Sequence, residues 1–194
     1  GAVEWGYEED GATLLAHLEK IVQYNVQSSE KEKFDGVMLD IEPYISDSWK
    51  ENPEEYMDRY ISCMKKGYKF AQKNHLRTAI CIPRHYDNQG LTSGLEELIK
   101  ETCDEVAVMN YSCGNEIEAI RTEAALSEKY GKELHCILEF QEVGKHGLTE
   151  NKTYRNKGID NAKETWEKLQ KEYKNINVTR DYHWSRPVRE MLEE

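Results

Sequence analysis

The sequence lacks several things that would each have pointed to a function. Its five cysteines, Cys63, Cys81, Cys103, Cys113 and Cys136, are odd in number and contain no Cys-x-x-Cys pair. Neither a thiol metal site nor a disulfide framework fits that pattern. Cys81 and Cys136 fall inside apolar runs and read as small core residues. Reduced thiols suit the cytoplasm, or a protein secreted by an anaerobe. No apolar run approaches the ~18 residues of a membrane helix, and no signal-peptide pattern is visible. Positive charge is short: 26 Lys and Arg stand against 37 Asp and Glu, for a net charge of −11. That balance argues against nucleic acid or an anionic membrane surface as partner. A neutral sugar polymer is compatible with it. No Gly-rich loop follows any strand, so nucleotide binding is unsupported. No linker, composition break or internal repeat appears, so residues 1–194 read as one domain.

What is present is an acidic strand. In Phe34-Asp35-Gly36-Val37-Met38-Leu39-Asp40-Ile41-Glu42-Pro43-Tyr44, apolar Val37, Leu39 and Ile41 alternate with Met38, Asp40 and Glu42. The period is two, which is a strand. Asp40 and Glu42 then share one side, with Cα atoms roughly 6.6 Å apart. Pro43 cannot donate to a ladder, so pairing stops there. Two carboxylates that close do not both ionise cheaply, so one pKa is expected to rise and the other to fall. Glycoside hydrolysis uses such a pair. A strand end whose acids cap a loop or meet an Arg is the plainer reading of two acids taken alone.

The rest of the chain alternates helices with strands. Ala2-Val3-Glu4-Trp5 could end a strand. Leu14, Leu15, Leu18, Ile21, Val22 and Val26 recur at helical spacing, with Asp10 or Thr13 as cap. Ser46 to Pro53 reads as an exposed loop, then a helix opens with Asn52 as N-cap and Pro53 at N1. Tyr56, Tyr60, Cys63, Met64, Gly67 and Ala71 mark its buried face. Strands are expected at 78–83, 105–111 and 134–140, and helices at 91–102, 117–130 and 162–173. Gly131 is the expected C-cap of the second of these. Residues 176–184 read as a last strand and 187–192 as a closing helix. His17, His75 and His146 read as surface residues.

This rhythm implies an α/β fold with parallel strands and helical crossovers. A doubly wound sheet and a (β/α)8 barrel both fit it. Polar or aromatic residues at four strand ends, Glu42, Arg84, Tyr111 and Trp184, favour the barrel.

The acidic strand resembles the strand-four signature of family 18 glycoside hydrolases, the chitinase-like family: Asp-x-x-Asp-x-Asp-x-Glu. Here it reads Asp35-x-x-Met38-x-Asp40-x-Glu42, with Met38 replacing one acid. Val108-Met109-Asn110-Tyr111 resembles the family's Met-x-Tyr on strand six, with Ser112 where Asp usually follows. Trp184 resembles its strand-eight Trp. The resemblance implies a TIM barrel and Glu42 as general acid/base. It implies Asp40 and Tyr111 as orienters of the substrate's acetamido group, whose oxygen attacks the anomeric carbon. Trp184 would floor the sugar subsite, and Asp35, Met109, Arg84 and Glu139 join the expected substrate-binding set. An N-acetylglucosamine-containing oligo- or polysaccharide is the implied substrate, with no cofactor and no metal. The family favours a secreted or cell-surface setting.

Met38 and Ser112 also suit a barrel that binds glycan without cleaving it. A glycosidase of another barrel family, with Asp40 or Glu139 as nucleophile, is a further alternative. His183 flanks Trp184 but points to the opposite face by alternation, which suggests a supporting role. His85 and Arg84 could bind sugar hydroxyls or serve a loop salt bridge. A full barrel needs ~250 residues, so the chain reads as the carboxyl-terminal part of one, from about strand three or four to strand eight. Open barrel edges invite a homodimer.

Overall fold

A computed structural model describes residues 2–193. It is α/β, with five strands hydrogen-bonded in chain order, β1-β2-β3-β4-β5. That order, with helical crossovers, is compatible with an arc of a β/α barrel. The chain divides into two compact units, Gly1–Glu105 and Val106–Glu194.

The first unit holds helix α1 (Ala12–Gln27), strand β1 (Gly36–Asp40), helices α2 (Asp47–Glu51) and α3 (Pro53–Lys73), strand β2 (Arg77–Pro83) and helix α4 (Thr92–Thr102). β1 and β2 pair in parallel, with Met38 opposite Ala79 and Asp40 opposite Cys81. α3 starts as its sequence dictates, with Pro53 in the first turn and Glu54 and Glu55 beside the positive helix end. Its buried face carries Met57, Tyr60, Ile61, Cys63, Met64 and Gly67, while Tyr56 is only half-buried. Gly67 lets α1 come close: a Cβ there would lie 2.5 Å from Leu14 Cδ2. Leu14 and Leu18 are buried, but Val26 on the same expected stripe is 80% exposed.

Two expectations in this unit are overturned. Residues 2–5 end no strand; Val3–Tyr7 is a 3₁₀ helix. It is held there because the Trp5 ring stacks on His17, centroids 4.2 Å apart, and Tyr7 donates to the Pro43 carbonyl at 2.6 Å. The stretch after Ser46 is not an exposed loop. Ser46 Oγ accepts from the Trp49 amide at 3.1 Å and caps α2. Trp49, which read as loop, is buried and stacked on Tyr86 at 5.5 Å.

Across the boundary into the second unit runs strand β3 (Glu105–Met109). That unit then has helices α5 (Glu116–Ala119) and α6 (Arg121–Tyr130), strand β4 (Glu133–Glu139), helix α7 (Ile159–Glu172), strand β5 (Val178–His183) and helix α8 (Ser185–Glu193). β4 and β5 pair in parallel, with Glu139 opposite His183 and Ile137 opposite Asp181. Trp166 of α7 donates its indole N–H to the Cys136 carbonyl at 3.0 Å. The Phe140 ring lies 6.0 Å from that of Tyr154 and 6.3 Å from that of Trp166. The helix expected over 117–130 is broken at Ile120 (φ −126°) into α5 and α6. Gly131 caps α6 at φ 64°, as the sequence predicts.

Candidate functional site

β1 alternates as its sequence requires. Leu39 and Ile41 are buried, while Met38 and Asp40 are exposed and Glu42 is half-buried. Strand pairing ends at Asp40, and Pro43 opens a 3₁₀ turn over Pro43–Ile45. The turn folds the aromatic residue that follows Pro43 back onto the acid. Tyr44 donates its hydroxyl to Glu42 Oε1 in a short hydrogen bond. Burial first, and then this bond to Glu42, push the Tyr44 hydroxyl far above its ordinary range, so it stays a donor. The Tyr44 ring meets His85 edge-on at 5.1 Å and Tyr86 at 6.0 Å. Burial, followed by the Arg84 guanidinium, lowers the His85 pKa, so this imidazole is neutral near pH 7. Arg84 itself is half-buried, just past the end of β2.

Asp35 does not join this group. It is exposed and precedes β1, and its carbonyl accepts the Arg77 amide at 2.9 Å. It lies seven positions before Glu42, roughly 23 Å along an extended chain. Its side chain therefore lies toward the amino end of the strand, and the expected substrate contact is corrected.

In the second unit Met109 ends β3 and Tyr111 lies two residues on, both half-buried. The Tyr111 ring lies 6.1 Å from that of His183 at a 35° tilt. Glu139 ends β4 at 2% exposure. Its Oε1 accepts the backbone N–H of Phe140 and of Gln141, each at 2.8 Å. Its Oε2 lies 2.9 Å from His183 Nδ1 and accepts the Gln141 amide at 3.2 Å. Burial pushes this carboxyl up, yet the bonds from His183 and the Gln141 amide outweigh it and leave the pKa below the ordinary carboxylate value. Glu139 is thus a buried anion with both oxygens engaged. This corrects the expectation that it touches substrate or serves as a nucleophile. Its register partner His183 is 48% exposed. Trp184 follows at 44% exposure, and the peptide between them is cis. One tier down, His135 Nδ1 lies 2.8 Å from Asp181 Oδ2.

Each unit thus assembles its own set. Asp40, Glu42 and Arg84 belong to the first, with Tyr44 and His85. Met109, Tyr111, Glu139 and Trp184 belong to the second, with Gln141 and His183. The sequence signal for Tyr44 was an aromatic directly after the strand-ending proline. For the Glu139–His183 pair there was none, because the contact exists only in the β4–β5 register. A cavity of about 810 Å³ in the second unit is lined by Cys113, Glu116, Tyr154, Lys157 and Thr165 among others, and involves none of the expected site residues. None of the five cysteines is in a disulfide. Among the described residues, no helix is long and apolar enough to cross a membrane. Compared with protein-family models, curated proteins and solved structures, the chain matches none.

Proposed function

We propose that the chain is a glycoside hydrolase domain of the chitinase-like type, an arc of a β/α barrel acting on an N-acetylglucosamine-containing glycan. The observation that carries this reading is Glu42 just past the carboxyl end of β1, with one carboxylate oxygen held by the Tyr44 hydroxyl, and Asp40 exposed at the strand's last position. Glu42 protonates the glycosidic oxygen as the bond breaks. Asp40 orients the 2-acetamido group, whose oxygen attacks the anomeric carbon in place of a protein carboxylate. In the second unit, the exposed Trp184 ring offers an apolar face to a sugar's C–H surface. The strands at the two ends of the sheet order, β1 and β5, suit a homodimer that covers them.

The test is mass spectrometry of N-acetylglucosamine oligomers after incubation with the chain and with its Glu42→Gln variant. Cleavage that the substitution abolishes supports the reading. Equal cleavage by both sinks the assignment of Glu42.

One observation favours a second reading, glycan binding without cleavage. Met38 is 51% exposed beside Asp40, where the resembling signature carries an acid that shares the Asp40 proton. Oligomer binding that survives Glu42→Gln, with no product from either protein, selects this reading.

A further inference from the structure

The cavity of about 810 Å³ lies wholly in the second unit, walled by α5 with the turn before it and by α7. It shares no residue with the proposed glycan site. Its floor is Glu116, 8% exposed, with the buried Tyr154 and Thr165. Two donors converge on Glu116 Oε1, the Gly114 amide at 2.8 Å and the Tyr154 hydroxyl in a short bond. Tyr154 also meets Thr165 Oγ1 at 2.8 Å. Burial, then the bond to Glu116, push the Tyr154 hydroxyl far above its ordinary range, so it remains a donor. These contacts pin the carboxyl group and use one of its oxygens. The other, Oε2, has no hydrogen-bond partner among the described residues. An unmatched acceptor on a buried side chain is costly, and a donor brought into the cavity satisfies it. At the rim stands Lys157, exposed and without an ion-pair partner among the described residues. Cys113, half-buried in the same wall, feels both charges: after burial, the Glu116 carboxylate raises its thiol pKa and the Lys157 ammonium lowers it. The other charged groups of the wall are engaged or remote. Glu118 pairs with Arg121, Lys168 lies 4.0 Å from Glu164, and Glu172 is the last residue of α7.

We propose that this cleft binds a dipeptide-sized zwitterion, with its free ammonium on Glu116 Oε2 and its free carboxylate on Lys157. An ammonium brings donors and a full positive charge to an acceptor that is already held in place. A carboxylate gives the rim lysine the anion it lacks. Ligands of one kind of charge fit worse. A phosphate matches Lys157 and is repelled by Glu116, a simple amine does the reverse, and a neutral sugar leaves Lys157 unmatched. The cavity's volume falls in the range of roughly 300–1,000 Å³ that small-ligand sites occupy. The proposal does not depend on the glycan reading, whose residues lie elsewhere.

The experiment is calorimetric titration of the full chain with alanyl-alanine, beside its N-acetyl and carboxamide forms, each of which deletes one charge. The free dipeptide should bind most tightly, and each blocked form about tenfold more weakly, the loss of one charge-assisted bond. Glu116→Gln keeps an acceptor for Gly114 and Tyr154 and removes the charge, so it should bind the free and N-acetyl forms alike. Lys157→Met should bind the free and carboxamide forms alike. A second measurement needs no substitution, so a variant that fails to fold does not obscure the answer. Bound dipeptide should slow iodoacetamide labelling of Cys113 severalfold and leave Cys63, in the first unit, unchanged. No heat and no protection of Cys113 at millimolar dipeptide overturns the proposal, and so does equal binding of the free and blocked forms by wild type. Protection of Cys113 by the N-acetylglucosamine trimer in place of the dipeptide also overturns it and assigns the cleft to glycan. None of these outcomes bears on Glu42, whose test is cleavage.

Discussion

Glu139 Oε2 lies 2.9 Å from His183 Nδ1, and the acid of the pair is buried while the imidazole is half in solvent. The sign of the resulting pH effect follows directly. The folded pKa of Glu139 is lowered. Its stabilisation is therefore present above the unfolded value of about 4.3 and is lost as pH falls through the folded value below that. Glu139→Gln replaces charge-assisted bonds with neutral ones, at a cost of about 1.5–3 kcal/mol near pH 7. The two proteins should differ most in melting temperature at neutral pH and converge as the pH falls through the lowered Glu139 value. Melting curves between pH 3 and 8 check this; a gap that widens as pH falls contradicts it.

Glu42 should separate chemistry from folding. Its carboxylate is half-buried at a strand end, so Glu42→Gln should move stability by less than about 1 kcal/mol and abolish turnover of N-acetylglucosamine oligomers. Tyr44→Phe removes the hydroxyl that Glu42 Oε1 accepts from. It should lower kcat about tenfold with KM little changed, because the lost bond acts on the acid and not on the sugar. A rise in KM alone would place Tyr44 on the substrate instead.

β1 was legible because one observable, alternation, controls it. Leu39 and Ile41 went inward and Asp40 outward as the period of two requires. The same rule extended the site too far, to Asp35, because a motif carries no information about where pairing starts. Trp49 was misread for a different reason. Its neighbours Ser46, Asp47 and Ser48 are polar and loop-like, yet Ser46 turns that polarity into a helix cap, and only the partner ring of Tyr86 gives Trp49 a place to be buried. The Glu139–His183 pair is 44 residues apart in sequence. Which of the two faces solvent depends on the packing around β4 and β5, and no local pattern encodes it.

Gly36 opens β1 and lies opposite Arg77 of β2. A Cβ at this position would lie 2.8 Å from the Arg77 carbonyl oxygen and 3.1 Å from its Cβ. The carbonyl is backbone and cannot swing aside as a side chain would. Gly→Ala in an open strand position gains roughly 0.5–1 kcal/mol, while forced overpacking costs about 1–3 kcal/mol. The clash should win, so Gly36→Ala is expected to destabilise by about 1–2 kcal/mol in urea unfolding. An alanine variant as stable as wild type would show that the strands separate freely here.

The thiols should be slow to react. Burial, followed by the Glu116 carboxylate, pushes Cys113 up to about 11, against a smaller lowering by the Lys157 ammonium. Burial pushes Cys63 to about 11 and Cys136 to about 12. An ordinary thiol near 8.5 is roughly one-tenth thiolate at pH 7.5, and a thiol near 11 has fewer than about one in a thousand ionised. Iodoacetamide should therefore label the folded chain about a hundredfold more slowly than free cysteine. Cys113 should lead the other four, because it alone is half-buried and they are fully buried. Timed alkylation with peptide mass spectrometry gives the order. Rapid labelling of Cys113 at pH 7.5 would mean that Lys157 dominates its surroundings, and would mark the cleft it lines as a nucleophilic site.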